Sequence, residues 1–218
     1  MIDLIRKSVL ILCLTPFAAW AQDGTTTTTN TESSRSNVGL FVEPILLYSR
    51  DDVTIKTSQL PIISDDTSGT SEAAGLGARL GFHLSEAIFL GADGRYSRTR
   101  MTDSSYGTAE GDSYSVGPTL GFQMPDIGVR IWGTALMLGG YDPKPGNQDF
   151  DVKFEDPRGF RAGVGFRIAS VSVNLEYQDL TYDKTEVESF GLISGTASSD
   201  VDFENKGFTG SISFPMEL

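Results

Sequence analysis

The amino-acid sequence predicts an all-β fold, an eight-stranded antiparallel up-and-down transmembrane β-barrel. Three observations lead to this fold class. Apolar residues recur at every second position in eight segments, the connections between the segments alternate between short and long, and aromatic residues gather at the segment ends. A period of two places neighbouring side chains on opposite faces of a strand, so each segment has one apolar face.

The composition excludes several classes of function. The 218-residue chain has a formal net charge of −12, with one cysteine and one histidine. Binding to nucleic acid needs a basic surface for the phosphates, which this composition does not favour. A single cysteine excludes a disulfide framework, and zinc sites of the Cys/His kind need more ligands. We therefore expect no metal and no cofactor.

The N-terminal segment predicts export. In residues 1–21, Arg6 and Lys7 form a positive region, an apolar run follows, and Ala19-Trp20-Ala21 has the pattern of a signal-peptide cleavage site. The apolar run is shorter than the roughly 20 residues of a membrane-spanning helix. Residues 22–37 are rich in Thr, Ser and Asn, which predicts a flexible leader. The barrel is then expected over residues 38–218.

The eight strand segments follow this leader. Their apolar positions are Leu40, Val42, Leu46 and Tyr48; Ala74, Leu76, Ala78, Leu80, Phe82 and Leu84; Ile88, Leu90, Ala92 and Tyr96; Tyr114, Val116, Leu120 and Phe122; Val129, Ile131, Ala135, Met137 and Tyr141; Phe160, Ala162, Val164, Phe166 and Ile168; Val171, Val173, Leu175 and Tyr177; Phe208, Ile212, Phe214, Met216 and Leu218. Eight is an even number of strands that can close a barrel.

The connections predict the orientation of the barrel. Three are tight, around Ser85-Glu86, Pro125-Asp126 and Ala169-Ser170. The other four are long, at roughly residues 49–73, 99–112, 142–158 and 178–206. In bacterial outer-membrane barrels the short turns face the periplasm and the long loops face outward.

The aromatic residues agree with this orientation. Seven of them fall at the long-loop end of their strands with the parity of the apolar face, and we expect them to form a girdle at the outer membrane interface: Tyr48, Tyr96, Tyr114, Tyr141, Phe160, Tyr177 and Phe208. Phe82, Phe122, Phe166 and Phe214 are expected to form a second belt at the short-turn end. A tyrosine ring is apolar and its hydroxyl group favours water, which suits a membrane interface.

This architecture resembles the small eight-stranded outer-membrane barrels, the family that includes OmpA, OmpX and the opacity-type surface proteins. The resemblance covers about residues 38–218 and rests on the strand pattern. It implies a location in the bacterial outer membrane and assembly by the barrel-assembly machinery. It also implies contact with outer-membrane lipid and lipopolysaccharide, and a monomeric state.

The polar faces of the strands are then expected to line a narrow lumen. They carry Glu43, Arg79, His83, Asp93, Arg95, Thr119, Gln123, Arg130, Trp132, Arg161, Arg167, Asn174, Glu176 and Gln178. Buried charges must be paired, so one hypothesis is a lumen plugged by salt bridges. A second hypothesis is a narrow anion-preferring pore lined by the excess of arginine.

A soluble lipocalin-like barrel is the rival fold, because alternation alone does not say which face is inside. In that fold the apolar faces would line a ligand cavity. Two observations oppose it. The water-facing surface would carry many glycines and almost no lysine, and the shared end of the tyrosines would have no cause.

One short motif suggests an enzyme. His83, Ser85 and Glu86 resemble the catalytic residues of outer-membrane lipid A deacylases, since a serine nucleophile needs a base and an orienting acid. The predicted topology places them at a periplasmic turn, away from lipid A in the outer leaflet. We therefore expect a solvated turn and a protein without catalytic activity.

The predicted loops are acidic. Their acidic residues include Asp51, Asp52, Asp65, Asp66, Asp183, Glu186, Glu188, Asp200, Asp202 and Glu204. Such loops keep a protein soluble. They also suggest adhesion to a basic extracellular protein, or divalent cations that bridge carboxylates to lipopolysaccharide. The sequence thus predicts a structural or surface-interaction protein, with a small-solute channel and a lipid-modifying enzyme as alternatives.

Overall fold

The computed structural model describes residues 39–56, 67–103, 107–145, 150–190, 193–199 and 202–218. The predicted signal peptide and leader lie outside these residues. The strands are β1 (Leu40–Lys56), β2 (Thr67–His83), β3 (Ile88–Asp103), β4 (Gly107–Met124), β5 (Val129–Leu136), β6 (Leu138–Pro145), β7 (Phe150–Ile168), β8 (Val171–Phe190), β9 (Ile193–Ser199), β10 (Asp202–Ser213) and β11 (Met216–Glu217). This described part contains no helix that is long and apolar enough to cross a membrane.

The strands form a closed antiparallel ring with eight positions. Strands β5 and β6 are successive pieces of one position between β4 and β7. Strands β10 and β11 likewise share the position that pairs with β1 and closes the ring. Strand β9 pairs with β8 beyond the ring. The ring confirms the predicted fold class.

The three tight turns lie where the sequence predicted them. Residues 84–87, 125–128 and 169–170 connect adjacent strands at one end of the barrel. Gly128 has a φ of 71° and closes its turn by donating its backbone N–H to Met124 O at 2.9 Å. Left-handed backbone of this kind favours glycine.

The predicted long loops are largely strand, which corrects the sequence-based boundaries. Pairing of β1 with β2 continues from Leu40↔Phe82 to Ile55↔Thr67, well past the girdle residue Tyr48. Strands β1 to β4, β7 and β8 contain 16 to 20 residues. A tilted strand needs only about 9–11 residues to cross the membrane. The barrel wall therefore continues well beyond the outer membrane interface.

The exposure of the side chains on the two faces of the wall shows which face lies inside the barrel. Leu76 is 58% exposed on the outer face, whereas Arg79, three residues away on the same strand, is 1% exposed in the lumen. The same contrast holds around the ring, with exposed Leu46, Leu120 and Val173 and buried Glu43, Asp93 and Glu176. An apolar exterior around a charged interior excludes the lipocalin-like alternative.

A paired bulge interrupts the wall between β5/β6 and β7. Leu136↔Gly159 and Gly140↔Glu155 are Cα partners, but residues 137–139 and 156–158 form no ladder pairs with each other. Asp156 and Gly159 have φ values of 55° and 146°. The side-chain alternation shifts by one residue on each strand across the bulge, so that Tyr141 and Phe154 turn into the lumen.

The bulge predicts a requirement for glycine at position 159. A Cβ atom built on Gly159 lies 2.0 Å from the backbone oxygen of Asp179, at a φ that other residues rarely adopt. We expect Gly159→Ala to lower the free energy of unfolding by more than about 1 kcal/mol. Urea titration in micelles, followed by the heat-dependent gel mobility of folded barrels, measures this change.

Gly210→Ala is the matched control, because a Cβ atom there meets nothing within 4 Å. We expect this variant to match the parent protein. Equal stability of the two variants would show that the bulge imposes no constraint on position 159.

Candidate functional site in the barrel lumen

A network of buried ion pairs crosses the lumen, and Asp93 on β3 is at its centre. Its carboxylate accepts hydrogen bonds from Arg79 Nη2 at 3.0 Å, from Arg95 Nε at 2.8 Å and from Arg161 Nη1 at 3.2 Å. Arg95 also donates Nη2 to Asp93 Oδ2 at 3.0 Å. Asp93 is completely buried. Three guanidinium groups thus compensate a single carboxylate where water does not reach it.

Glu43 on β1 forms the second junction of the network. Arg130 donates a hydrogen bond to each of its two carboxylate oxygens, with Nη1–Oε1 and Nη2–Oε2 distances of 2.9 and 3.0 Å. Arg79 donates Nη1 to Glu43 Oε2 at 3.2 Å and thereby joins Glu43 to Asp93. Only a planar guanidinium bridges two carboxylates in this way, which explains the use of arginine.

The network reaches all eight positions of the ring. Arg95 donates to Glu176 Oε2 on β8 at 2.6 Å, and Arg161 of β7 donates to Ser115 Oγ on β4 at 3.2 Å. Ser213 and Ser211 of β10 donate to Glu43 and Glu176 at 2.6 and 3.1 Å. Together with β1, β2, β3 and β5, every wall position contributes a polar contact. The lumen is cross-linked by these contacts at this level.

Two of the charged or titratable residues predicted to line the lumen, His83 and Arg167, lie apart from the network. His83 sits nearer the short turns, 3.2 Å from Glu217 Oε1 and 3.4 Å from the amide of Gln123. Arg167 is half-buried and donates Nε to the backbone oxygen of Ala169 at 3.0 Å. Its strand is ending there, so its side chain turns to the loop and does not enter the lumen.

An aromatic layer underlies the network; the sequence pattern predicts Trp132 in the lumen and misses Phe41 and Phe89. Phe41, Phe89 and Trp132 form a buried cluster. Arg79 lies 4.8 Å from the Trp132 ring centroid and Arg130 lies 5.0 Å from that of Phe89, both within cation–π range. The signal was present in the sequence, because Phe41 and Phe89 have the parity of Glu43 and Asp93.

A second aromatic layer, here called the aromatic lid, closes the outer end of the described lumen. It consists of Tyr141, Phe154, Tyr182 and Phe203, with ring centroids of Phe154 and Phe203 only 4.5 Å apart. Val53, Leu136 and Leu180 pack against it. A cavity of about 50 Å³ separates the lid from the ion-pair network. Two packed layers, the ion-pair network and the aromatic lid, therefore fill the lumen on either side of the cavity.

The cavity carries polar atoms that lack protein partners among the described residues. Asp51 Oδ1, Tyr141 Oη, Arg95 Nη1 and Arg161 Nε are buried without one, and all four residues line the cavity. Asp51 was predicted on a loop, but it lies in β1 with its side chain 3% exposed inside the lumen. Its Oδ2 accepts a hydrogen bond from Ser49 at 3.1 Å. A cavity of this size has room for a few water molecules.

The structure places the predicted girdle residues on the outer face of the wall except at one position. Tyr48, Tyr96, Tyr114, Phe160 and Phe208 are exposed on the outer face, and Tyr177 lies between Phe160 and Phe208 at centroid distances of 6.2 and 5.4 Å. The prediction for Tyr141 was wrong. The bulge at residues 137–139 reverses the side-chain alternation, so Tyr141 belongs to the aromatic lid.

The acidic residues predicted on loops fall mostly on the extended strands. Asp52 is exposed on β1, Asp183 on β8 pairs with Arg158 at 2.8 Å, and Glu186 and Glu188 lie within β8. Asp202 begins β10, while Asp65, Asp66 and Asp200 lie outside the described residues. Glu204 accepts a hydrogen bond from Lys56, which lowers the pKa of the Glu204 carboxyl. No group of three potential metal ligands occurs in the described ranges.

The residues of the suspected deacylase motif do not come together. Ser85 Oγ accepts hydrogen bonds from the backbone N–H groups of Ala87 and Ile88 at 3.3 and 3.1 Å, which stabilises the turn. His83 faces Glu217 and Gln123 instead. A nucleophile needs a base within hydrogen-bond reach, and this hydroxyl has a structural role.

Comparison with solved structures identifies the class of protein. The chain is similar to the outer membrane protein OprG from Pseudomonas aeruginosa, at 12% identity and a TM-score of 0.53 over 83% of this chain and 97% of OprG. It is also similar to the outer membrane protein AlkL, at 14% identity and a TM-score of 0.50 over 88% and 97% of the two chains. Neisserial surface protein A matches at 14% identity and a TM-score of 0.44, over 80% and 96%.

The fold is that of a small eight-stranded outer-membrane β-barrel. The predicted outer-membrane location agrees with this fold and with the belt of exposed apolar side chains. The sequence matches no protein-family model, and no curated protein matches it.

The network predicts a large effect of removing its central charge. Asp93→Asn leaves Arg95 and Arg161 in the lumen with less compensation, so we expect a loss of about 3–5 kcal/mol in unfolding free energy. Asp183→Asn is the matched control, since Asp183 pairs with a guanidinium that is 80% exposed and should contribute less than about 1 kcal/mol. Urea unfolding in lipid vesicles compares the two variants. Similar losses would contradict a central role for Asp93.

Proposed function

We propose that this protein is a closed outer-membrane barrel that acts as a structural or surface-interaction protein through the part of its wall beyond the membrane, and that it catalyses no reaction. The observation that supports closure is the cross-lumen network, in which Asp93 and Glu43 bind arginines from four strands and no side chain of the core pairs exceeds 7% exposure. Packed guanidinium groups at this level support a lumen without a continuous aqueous path.

The proposed surface role rests on the part of the barrel wall that continues beyond the aromatic girdle. Beyond the girdle, β1–β4, β7 and β8 carry exposed charged side chains of both signs, including Asp52, Glu72, Glu110, Arg158 and Lys184. A rigid scaffold that projects from the membrane is a common place for binding residues. An extracellular protein partner is the interaction this surface favours, and the acidic net charge of −12 favours a basic one.

Conductance in planar bilayers tests the closed lumen. We expect the refolded protein to insert without steady channel openings. The double variant Glu43→Ala with Arg130→Ala removes one carboxylate and one guanidinium together, so it keeps the net charge. It also removes part of the ion-pair network that fills the lumen. We expect this variant to show openings. Steady anion-selective conductance of the parent protein would overturn the closed-barrel proposal in favour of a pore.

The paired bulge favours a second candidate function, passage of small apolar molecules through the wall. Residues 137–139 and 156–158 form no ladder pairs with each other near the level of the girdle residue Tyr114, whose Cα partner is Gly140. Met137 and Leu138 are each 64% exposed outside this break, and Leu136 and Phe154 lie behind it. An apolar molecule would thus meet apolar side chains on both sides of the wall.

A disulfide across the break tests this candidate. The ladder register on either side places Met137 opposite Arg158. In the double variant Met137→Cys with Arg158→Cys, we expect the oxidised disulfide to block transfer of an apolar fluorescent dye across the membrane of vesicles that contain the barrel. We expect reduction of the disulfide to restore this transfer. Dye transfer that is the same in the oxidised and reduced states, with the disulfide verified by mass, would refute passage through the wall.

A further inference from the structure

The lumen cavity between the ion-pair network and the aromatic lid is lined by buried charges of both signs. Arg95 and Arg161 line it together with Asp51 of β1, and these side chains are between 3% and 7% exposed. The two guanidinium groups form their ion pairs with Asp93 and Glu176. Asp51 forms no ion pair with any residue that the structure describes. The cavity thus has a carboxylate whose charge no neighbour compensates directly.

Hydrogen-bond donors around the cavity lack protein acceptors. Arg95 Nη1, Arg161 Nε and Tyr141 Oη are buried and have no hydrogen-bond partner in the described part of the chain. Hydroxyl groups such as those of Ser97 and Ser113 also line the cavity. Because a buried N–H group without an acceptor is costly, this lining favours a ligand that accepts hydrogen bonds from several strands at once.

The balance of buried charge sets the charge of such a ligand. The ion-pair network consists of four arginines and three acids: Arg79, Arg95, Arg130 and Arg161 with Glu43, Asp93 and Glu176. Asp51 is a fourth buried acid, and it balances the fourth arginine only while it is ionised. When Asp51 is protonated, one positive charge in the lumen is left without a counterion. An ionised Asp51 and a bound monovalent anion are therefore alternatives.

Asp51 is also the group in the cavity lining whose charge changes near neutral pH. It lies three residues past the girdle residue Tyr48, outside the membrane-spanning part of β1. Burial raises the pKa of the Asp51 carboxyl group to about 6, although the hydrogen bond from Ser49 opposes this rise. A carboxyl group with a raised pKa takes up its proton as the pH falls through about 6. Below that pH, Asp51 is neutral in the folded protein.

The other groups around Asp51 keep their charge between pH 5 and pH 8. The charged or titratable residues that line the cavity from the other strands are Arg95 of β3, Tyr114 of β4, Tyr141 of β6, Arg161 of β7 and Tyr182 of β8. Arginine and tyrosine side chains titrate well above this range. Strands β2 and β10, which flank β1, contribute uncharged side chains to the lining, such as Ser71, Asn205 and Thr209. The charge of the lining therefore follows Asp51.

We propose that the cavity binds a monovalent anion of halide size, held by Arg95 Nη1, Arg161 Nε and Tyr141 Oη, when Asp51 is protonated. Asp51 Oδ2 accepts a hydrogen bond from Ser49, whereas Oδ1 has no partner among the described residues, so a protonated Oδ1 also donates to the anion. Each bound anion thus brings one proton with it, and the charge of the lumen is unchanged. A cavity of about 50 Å³ has room for one such ion with water.

This site predicts a preference among anions. A divalent anion such as sulfate carries a second charge that the single unpaired arginine does not balance. We therefore expect bromide to bind and sulfate to bind at least tenfold more weakly. The proposal goes beyond the surface role proposed above and does not depend on it.

Anomalous diffraction from bromide tests the location of the site. The protein is refolded in sodium bromide, so that the ion need not cross the lid or the network, and is crystallised at pH 5 and at pH 8. We expect a bromide peak in the cavity, in contact with Arg95 and Arg161, at pH 5 and none there at pH 8. Bromide peaks only on the outer surface at pH 5 would show an adventitious ion only and would overturn the proposal.

Urea unfolding in micelles measures the affinity in solution. Bromide replaces gluconate at constant ionic strength, and the increase in unfolding free energy with bromide concentration gives an apparent dissociation constant. We expect this constant to be at least tenfold lower at pH 5 than at pH 8, because binding takes up a proton. Asp51→Asn keeps the size of the side chain and removes its charge. At pH 8, this variant should bind bromide within about twofold of the parent protein at pH 5.

Asp52→Asn is the matched control, because it removes the charge of the next residue, which is exposed on the outer face of β1. It should keep the pH dependence of the parent protein. Equal effects of the two variants would show a general charge effect and overturn the proposal, as would a bromide affinity of the parent protein that does not change with pH. Heat-dependent gel mobility verifies that each variant is folded. None of these measurements involves a partner of the outer wall, so this proposal and the surface role fail separately.

Discussion

The barrel depends on the burial of Asp93 among three guanidinium groups. A carboxylate with no exposed surface is tolerated only if its charge is compensated, and Arg79, Arg95 and Arg161 reach it from three different strands. A slip of one residue in any of these strands would exchange its two faces. The slip would move an arginine into lipid, which destabilises a barrel by roughly 2–4 kcal/mol near the midplane. It would also leave the charge of Asp93 without enough compensation. The ion pairs and the lipid thus select the same register.

Outside the membrane this double selection no longer applies. Beyond the girdle the outer face of the wall no longer contacts lipid, so a change in alternation there places no polar side chain in the membrane and costs less. The paired bulge occurs at this transition, where Asp156 and Gly159 adopt positive φ values. Its consequence is the aromatic lid, since the shift turns Tyr141 and Phe154 inward to stack with Phe203. Apolar packing replaces ion pairing as the means of filling the lumen.

The same transition explains what the sequence could predict. Within the membrane, hydrophobic contrast between alternate residues is strong, so the strands, turns and inward residues such as Glu43 and Arg130 followed from a period of two. The extensions are rich in Ser, Thr and Asp on both faces, so residues such as Asp51 looked like loop although backbone pairing continues through them. The local signals of the bulge are few: Pro157 and Gly159 on one strand, and Gly139 with Gly140 on the other. The pairing of each arginine with its carboxylate depends on distances across the ring. The alternation of apolar and polar residues along one strand gives no information about these distances.

The balance of buried charge directs interactions to the outer wall. The described lumen buries four arginines, Arg79, Arg95, Arg130 and Arg161, and four acids, Glu43, Asp51, Asp93 and Glu176. Since these charges match, the acidic excess of the chain lies elsewhere, and most outward cations are engaged by neighbouring acids. A partner is therefore left with the charged side chains on the outside of the wall, because the charges of the ion-pair network are paired with one another.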